Sequence, residues 1–138
     1  MKSVLIDSDP LVAFLDRRDH WHTWAARHFR NAAAPFLTCD AVLTESCFLL
    51  AEVPGSTGRL LELIARGVIR PVFAAGQETA TILTLMDRYA SVPMSFADAC
   101  LVRMSELLPD ATVFTTDSDF RIYRRHKRQA IPLLCPFP

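Results

Sequence analysis

Short β-rich runs alternate with helix-length amphipathic segments along this chain, and that alternation restricts the fold more than any single motif. The first run, Val4-Leu5-Ile6, breaks off at Asp7 and is followed by Asp9-Pro10, where an acid is suited to cap a helix and proline to occupy its first position. A helix is expected over Trp21 to Arg30, a strand at Phe36-Leu37-Thr38, and a helix from about Asp40 to Glu52. The Pro54-Gly55 turn then starts a helix to Arg66, which Gly67 closes. Val68 to Val72 reads as a strand and Gln77 to Arg88 as a helix. Ser95, with Asp98 three residues on, opens another helix through a variant of the capping box, and Pro109 stops it. Thr112 to Thr115 is a strand, and Ala130 to Leu134 a last one whose Pro132 suits only a sheet edge. Such alternation predicts a three-layer α/β sandwich, a central and mostly parallel sheet flanked by helices. No repeat, linker or compositional break divides the 138 residues, so a single domain is expected.

Composition narrows the function classes. At 51% hydrophobic and 22% charged the chain is not a disordered one, and its net charge of 0 gives no overall attraction for a polyanion, which leaves local patches. The apolar runs are too short to span a bilayer or form a signal segment. Cys39, Cys47, Cys100 and Cys135 form no C-x-x-C pair and sit among apolar neighbours, so buried, reduced thiols are expected. Together these features predict a cytoplasmic protein.

The informative residues are acids in awkward places. Asp7 ends the first strand and Asp117 follows the Thr112 stretch, and open α/β sheets bind ligands at the carboxyl ends of their strands. Glu45 is flanked at helical spacing by Val42, Phe48 and Leu49, and Asp98 by Leu101 and Val102, so both carboxylates are expected on or beside buried faces. Each has an ordinary reading: a capping-box acid for Asp98, an arginine partner for Glu45, a turn for Asp7, an Asx-turn for Asp117 with Asp119. Taken together those readings weaken, because the lysines are only Lys2 and Lys127 and nothing cationic is evidently placed among the acids. Two carboxylates about 4 Å apart repel by roughly 4 kcal/mol at an effective dielectric near 20. A bound cation relieves that repulsion, and oxygen ligands without a Cys/His set favour Mg²⁺ or Mn²⁺ over Zn²⁺. Such ions promote phosphodiester hydrolysis.

Four segments carry a resemblance: Val4-Leu5-Ile6-Asp7-Ser8, Val42-Leu43-Thr44-Glu45, Ser95-Phe96-Ala97-Asp98-Ala99 and Phe114-Thr115-Thr116-Asp117-Ser118-Asp119-Phe120. In their order and spacing the chain resembles the PIN-domain ribonucleases, and among them the VapC toxins of toxin–antitoxin pairs, over nearly its whole length. The resemblance implies a PIN-like sandwich and an Mg²⁺- or Mn²⁺-dependent endoribonuclease. Asp7, Glu45, Asp98 and Asp117 would be its catalytic, metal-holding acids, with Asp119 auxiliary and Thr115 a supporting hydroxyl. It also implies a homodimer and a small VapB-like antitoxin that covers the active site. Asp9 departs from the pattern, and is expected to cap the helix opened by Pro10 rather than to bind metal.

Arg121, Arg124, Arg125, Lys127 and Arg128 form a run without acids, either a solvated face or a grip on the RNA backbone; Arg121, Arg124 and Arg125 are the candidate contacts. Trp21 and Trp24 are expected to be partly buried, with one edge available to an antitoxin or second subunit, and His20 and His22 are not expected to bind metal. Two rivals stand beside the nuclease: a catalytically silent PIN-fold binding module, and a haloacid-dehalogenase-type phosphatase reading of Asp7-Ser8-Asp9, which needs a downstream lysine that only Lys127 can supply. The RNA target itself is not encoded in any motif.

Overall fold

The computed structural model of the chain describes residues 2–32 and 35–138. Its strands are β1 (Val4–Ile6), β2 (Phe36–Thr38), β3 (Ile69–Pro71), β4 (Thr112–Phe114), β5 (Arg124–Arg125), β6 (Gln129–Ala130) and β7 (Leu133–Leu134). Five of them form one sheet in the order β3-β2-β1-β4-β7, and every neighbouring pair runs parallel. The helices are α1 (Ser8–Leu15), α2 (His22–Asn31), α3 (Asp40–Leu49), α4 (Ser56–Ala65), α5 (Thr79–Arg88) and α6 (Phe96–Leu107). The expected three-layer sandwich is therefore present, with a sheet that is parallel throughout.

Both faces of the sheet are covered. Phe36 and Phe114 meet Phe29 of α2 at centroid distances of 4.5 and 6.0 Å, and the edge of Trp24 at 5.3 Å meets Phe114. α6 packs on β1 and β4 and touches α3 and α5. Leu5, Ile6, Val113 and Phe114 have no exposed surface, which fits strands that read as uninterrupted apolar runs rather than alternating ones.

Three boundaries differ from the expected ones for local reasons. α3 stops at Leu49, not Glu52, because the Ser56 hydroxyl donates to the carbonyls of Leu50 and Val53 and pulls the chain into a turn. The helix expected from Gln77 begins at Thr79, after a tight 3-10 turn at Ala75–Gln77. The strand expected from Ala130 to Leu134 is two pieces. Gln129–Ala130 pairs antiparallel with Arg124–Arg125, and after Pro132, whose carbonyl accepts from Val113 N at 2.9 Å, β7 takes the sheet edge. His126 and Lys127, at φ 50° and 72°, make the left-handed turn of that hairpin, an unusual conformation for residues with a Cβ.

All four cysteines are free thiols. Cys39 and Cys100 are buried and Cys47 and Cys135 only half-buried, so burial holds for two of the four. No described helix is long and apolar enough to cross a membrane.

Candidate active site

The chain fills the sheet from β1 towards β3 on one side and from β4 to β7 on the other, so β1 and β4 flank the point where the strand order reverses. At their carboxyl ends the connections diverge, and the acids lie there within one another's field. Asp7 N donates to Phe114 O at 3.0 Å, which extends the β1–β4 pairing by one residue and leaves the carboxylate only 3% exposed. Asp7 Oδ1 accepts from Ser8 N at 2.7 Å and Oδ2 from the Thr115 hydroxyl at 2.7 Å. Thr115 Oγ1 in turn accepts from Asp117 N at 2.9 Å, and Asp117 Oδ1 from Asp119 N at 2.9 Å, capping a 3-10 turn at Ser118–Arg121. One hydroxyl thus links the ends of two strands.

The remaining acids come from helices. Glu45 accepts from the Ser8 hydroxyl, which ties α3 to the start of α1. Its surroundings differ from expectation. Val42, Ser46 and Leu50 form the buried stripe of this segment, Phe48 is 79% exposed and Leu49 46% exposed, and Glu45 sits half-buried at the stripe's margin. Asp98 lies in the first turn of α6. Its N–H donates to Ser95 Oγ at 3.0 Å, and its Oδ2 accepts from the Tyr123 hydroxyl at 2.8 Å. The capping reading of Ser95 holds, and the Asp98 carboxylate still lies in the field of Asp117 and Glu45. Asp9 does not cap α1. Asp7 does, because its extended backbone lies one residue before the helix and its carboxylate meets the first N–H, while Asp9 falls within the first turn.

The carboxylates are in one another's field. Burial, then the charges of Asp9 and Asp98, push Asp7 well above the ordinary 3.8, against the Thr115 hydroxyl and the Ser8 amide. Asp9 is raised by burial and by Asp117 and Glu45. Asp98 is raised by burial and by Asp117 and Glu45, with the Tyr123 hydroxyl opposing, and Asp117 by burial and by Asp119 and Glu45. The ion pairs among the described residues join Asp16 to Arg18, Glu62 to Arg66, and Glu78 and Glu106 to Arg103, so these acids have no cationic partner.

That donor set suits a hard divalent cation by charge and by chemistry. Among the described residues no three Asp, Glu, His or Cys side chains already surround a metal-sized point. Mg²⁺ does not require that, since it keeps several waters and takes only one or two carboxylates directly. Hydroxyls and amides fix the acid geometry here without neutralising its charge, the arrangement expected of outer-shell support.

The basic run divides. Arg125 is not a nucleic-acid contact: it is 5% exposed, and its guanidinium donates to Ser105 O at 3.0 Å near the end of α6, where an unpaired carbonyl and the helix dipole favour a cation. Arg124 turns back on the carbonyls of Arg121 and Tyr123 at 2.8 and 3.0 Å. Arg121 is exposed and lies over the Phe137 ring. Lys127 sits at the exposed hairpin tip, lining a cavity with Arg88, Arg103 and Glu106 that contains none of Asp7, Asp9, Glu45, Asp98 and Asp117, so it does not take the place a phosphatase lysine needs. Trp21 and Trp24 are half-buried.

Sequence reasoning missed Ser8, Asp9 as a member of the cluster, and Tyr123. Asp9 had a signal in its spacing, since position 9 is a turn-neighbour of Asp7. Tyr123 had none, because its approach to Asp98 depends on the packing of a distant segment.

The sequence matches no family model and no curated protein. Solved structures do match. Over 85% of this chain and 92% of the other, it superposes with a TM-score of 0.69 and 21% identity on Mycobacterium tuberculosis VapC20, described as a sarcin–ricin loop cleaving toxin. Over 99% of this chain and all of the other, the TM-score is 0.63 at 12% identity to a chain of VapBC2 from Rickettsia felis, bound to a DNA fragment from its promoter. This chain has the fold of the VapC proteins, the PIN-like α/β sandwich that its sequence resembles.

Proposed function

We propose that the chain is a single-domain, divalent-metal-dependent endoribonuclease, acting in the cytoplasm as the toxin of a toxin–antitoxin pair. The observation that carries this reading is the set of carboxylates at the sheet's switch point, raised by burial and by one another and left without a cation among the described residues. Asp7, Glu45, Asp98 and Asp117 would hold Mg²⁺ or Mn²⁺, with Asp9 beside them. A bound ion of this kind supplies positive charge to phosphate oxygens and makes a water acidic enough to attack.

The chain's own groups do the rest. Thr115 holds Asp7 and, through Asp117 N, the β4 loop at fixed separation. Asp119 holds Asp117 through its amide. Ser8 holds Glu45 against α1. Arg121, exposed three residues after Ser118, would be the contact to a phosphate of the substrate. RNA is favoured as substrate because VapC20, which shares the fold, is described as cleaving the sarcin–ricin loop. A partner of the VapB kind is supported by the VapBC2 complex. The half-exposed Trp21 and Trp24 edges offer such a partner, or a second copy in a homodimer, a surface with apolar and hydrogen-bonding character.

The test is chelation. Purified protein should lose RNA cleavage in EDTA and regain it with excess Mn²⁺ or Mg²⁺; cleavage that persists under chelation removes the mechanism.

A further inference from the structure

Tyr123 is completely buried, and a phenol at that depth needs a hydrogen-bond partner. Its hydroxyl donates to Asp98 Oδ2 at 2.8 Å, across the chain from the loop after β4 to the first turn of α6. The ring packs edge-on against both Phe120 and Tyr89, at 5.2 Å each. Its backbone is held as well. Tyr123 N donates to Asp119 O at 3.2 Å, and the next two residues are fastened by Arg124 N to Tyr89 Oη at 3.0 Å and Arg125 to Ser105 O at 3.0 Å. Asp98 is the more exposed partner: it is half-buried, and besides Tyr123 only the Ser95 hydroxyl, on the exposed first turn of its own helix, bonds its carboxylate. A buried, clamped donor meeting a half-exposed acceptor sets the orientation of the acceptor.

We propose that Tyr123 is a positioning residue for the divalent-cation site, its phenol committing one oxygen of Asp98 and thereby fixing that carboxylate relative to the Asp117 loop. The inference rests on the metal-site reading above. It completes a pattern, since Asp7 has Thr115, Glu45 has Ser8, and Asp98 has Tyr123 as hydroxyl donor. Unlike the other two, the Tyr123 hydroxyl stands on a ring locked by aromatic neighbours, so it transmits the position of the 3-10 turn after Asp117 to the start of α6.

Binding of Mn²⁺ alone, without RNA, separates this role from a structural one. The native protein, Tyr123→Phe and Tyr89→Phe are titrated with Mn²⁺ and followed by the paramagnetic resonance of the free ion, with thermal midpoints measured on the same samples. Outer-shell donors typically contribute 10–100-fold to metal affinity, so Tyr123→Phe should bind Mn²⁺ about 10-fold or more weakly. Tyr89→Phe, which loses the contact to Arg124 but leaves Asp98 untouched, should keep native affinity. In the native protein, the Tyr123 ring resonances should also shift as Mg²⁺ is added while the Tyr89 ring changes less, a measurement that holds even if Tyr123→Phe does not fold. Native Mn²⁺ affinity in Tyr123→Phe, or an equal loss in Tyr89→Phe, overturns the positioning role and leaves the metal site standing. A native protein that takes up no Mn²⁺ overturns both.

Discussion

Two groups of carboxylates in this protein are handled in opposite ways. Glu78 and Glu106 share the guanidinium of Arg103 at 2.9 and 3.1 Å, so each negative charge meets a positive one. Asp7, Asp9, Glu45, Asp98 and Asp117 stand in one another's field, held by hydroxyls and amides and, among the described residues, by no cation. Both groups are partly removed from water, so burial alone does not separate them. The difference is that the first group is neutralised by the fold, and the second is only oriented by it. An arrangement that fixes carboxylate geometry while leaving the repulsion in place is suited to a partner that arrives from solution.

The largest expected contrast is catalytic. A metal ion contributes several kcal/mol to the transition state, so Asp98→Asn should lower RNA cleavage about a thousandfold or more. Glu78→Gln should leave cleavage unchanged and reduce stability by about 1 kcal/mol, read from a denaturant midpoint. Equal activity in the two variants would erase the distinction between the groups.

A second contrast lies in pH. Asp7, Asp9, Asp98 and Asp117 are raised above the 3.8 of an ordinary aspartate, so between that value and the raised one the native state holds more protons than the unfolded chain. Their contribution to stability therefore falls as pH rises through this window and stays lost above it. Without divalent ions, the thermal midpoint of Asp7→Asn should decline less between pH 4 and neutrality than that of the native protein. Added Mn²⁺ should raise the native midpoint more at pH 7 than at pH 5. A slope identical in the two proteins would show that Asp7 carries none of the repulsion.

The smallest effect distinguishes two arginines that look alike in sequence. Arg121→Ala should reduce the slope of log RNA affinity against log salt by about 0.7, one phosphate on a single strand. Arg125→Ala should instead lower the denaturant midpoint, because it removes the donor to Ser105 O from a buried site. A changed salt slope with unchanged stability in Arg125→Ala would return it to the nucleic-acid surface.

These contrasts also mark how far the residues alone could be read. The acids at strand ends were legible because Asp7 and Asp117 follow short β-rich runs alternating with helix-length segments, and the carboxyl ends of parallel strands share one edge of the sheet. Asp98 was legible from its spacing to Leu101 and Val102, all on one helix. Glu45 was legible as a candidate but not in its setting, since the sequence does not say that Val42, Ser46 and Leu50, rather than Phe48 and Leu49, would be the buried stripe. The basic run read as one feature and folded as three: an exposed Arg121, an Arg124 turned on its own backbone, and a buried Arg125.

Local order therefore determined the elements, their alternation and hence the parallel sandwich with its acid-lined edge, because strand and helix periods and caps act over a few residues. Which hydroxyl holds which carboxylate was decided only by tertiary packing. Ser8 and Glu45 are 37 positions apart, Asp98 and Tyr123 25, and Asp7 and Thr115 108. Contacts at such separations arise from how β4 settles beside β1 and how the segment after it folds onto α5 and α6, and no local propensity specifies that.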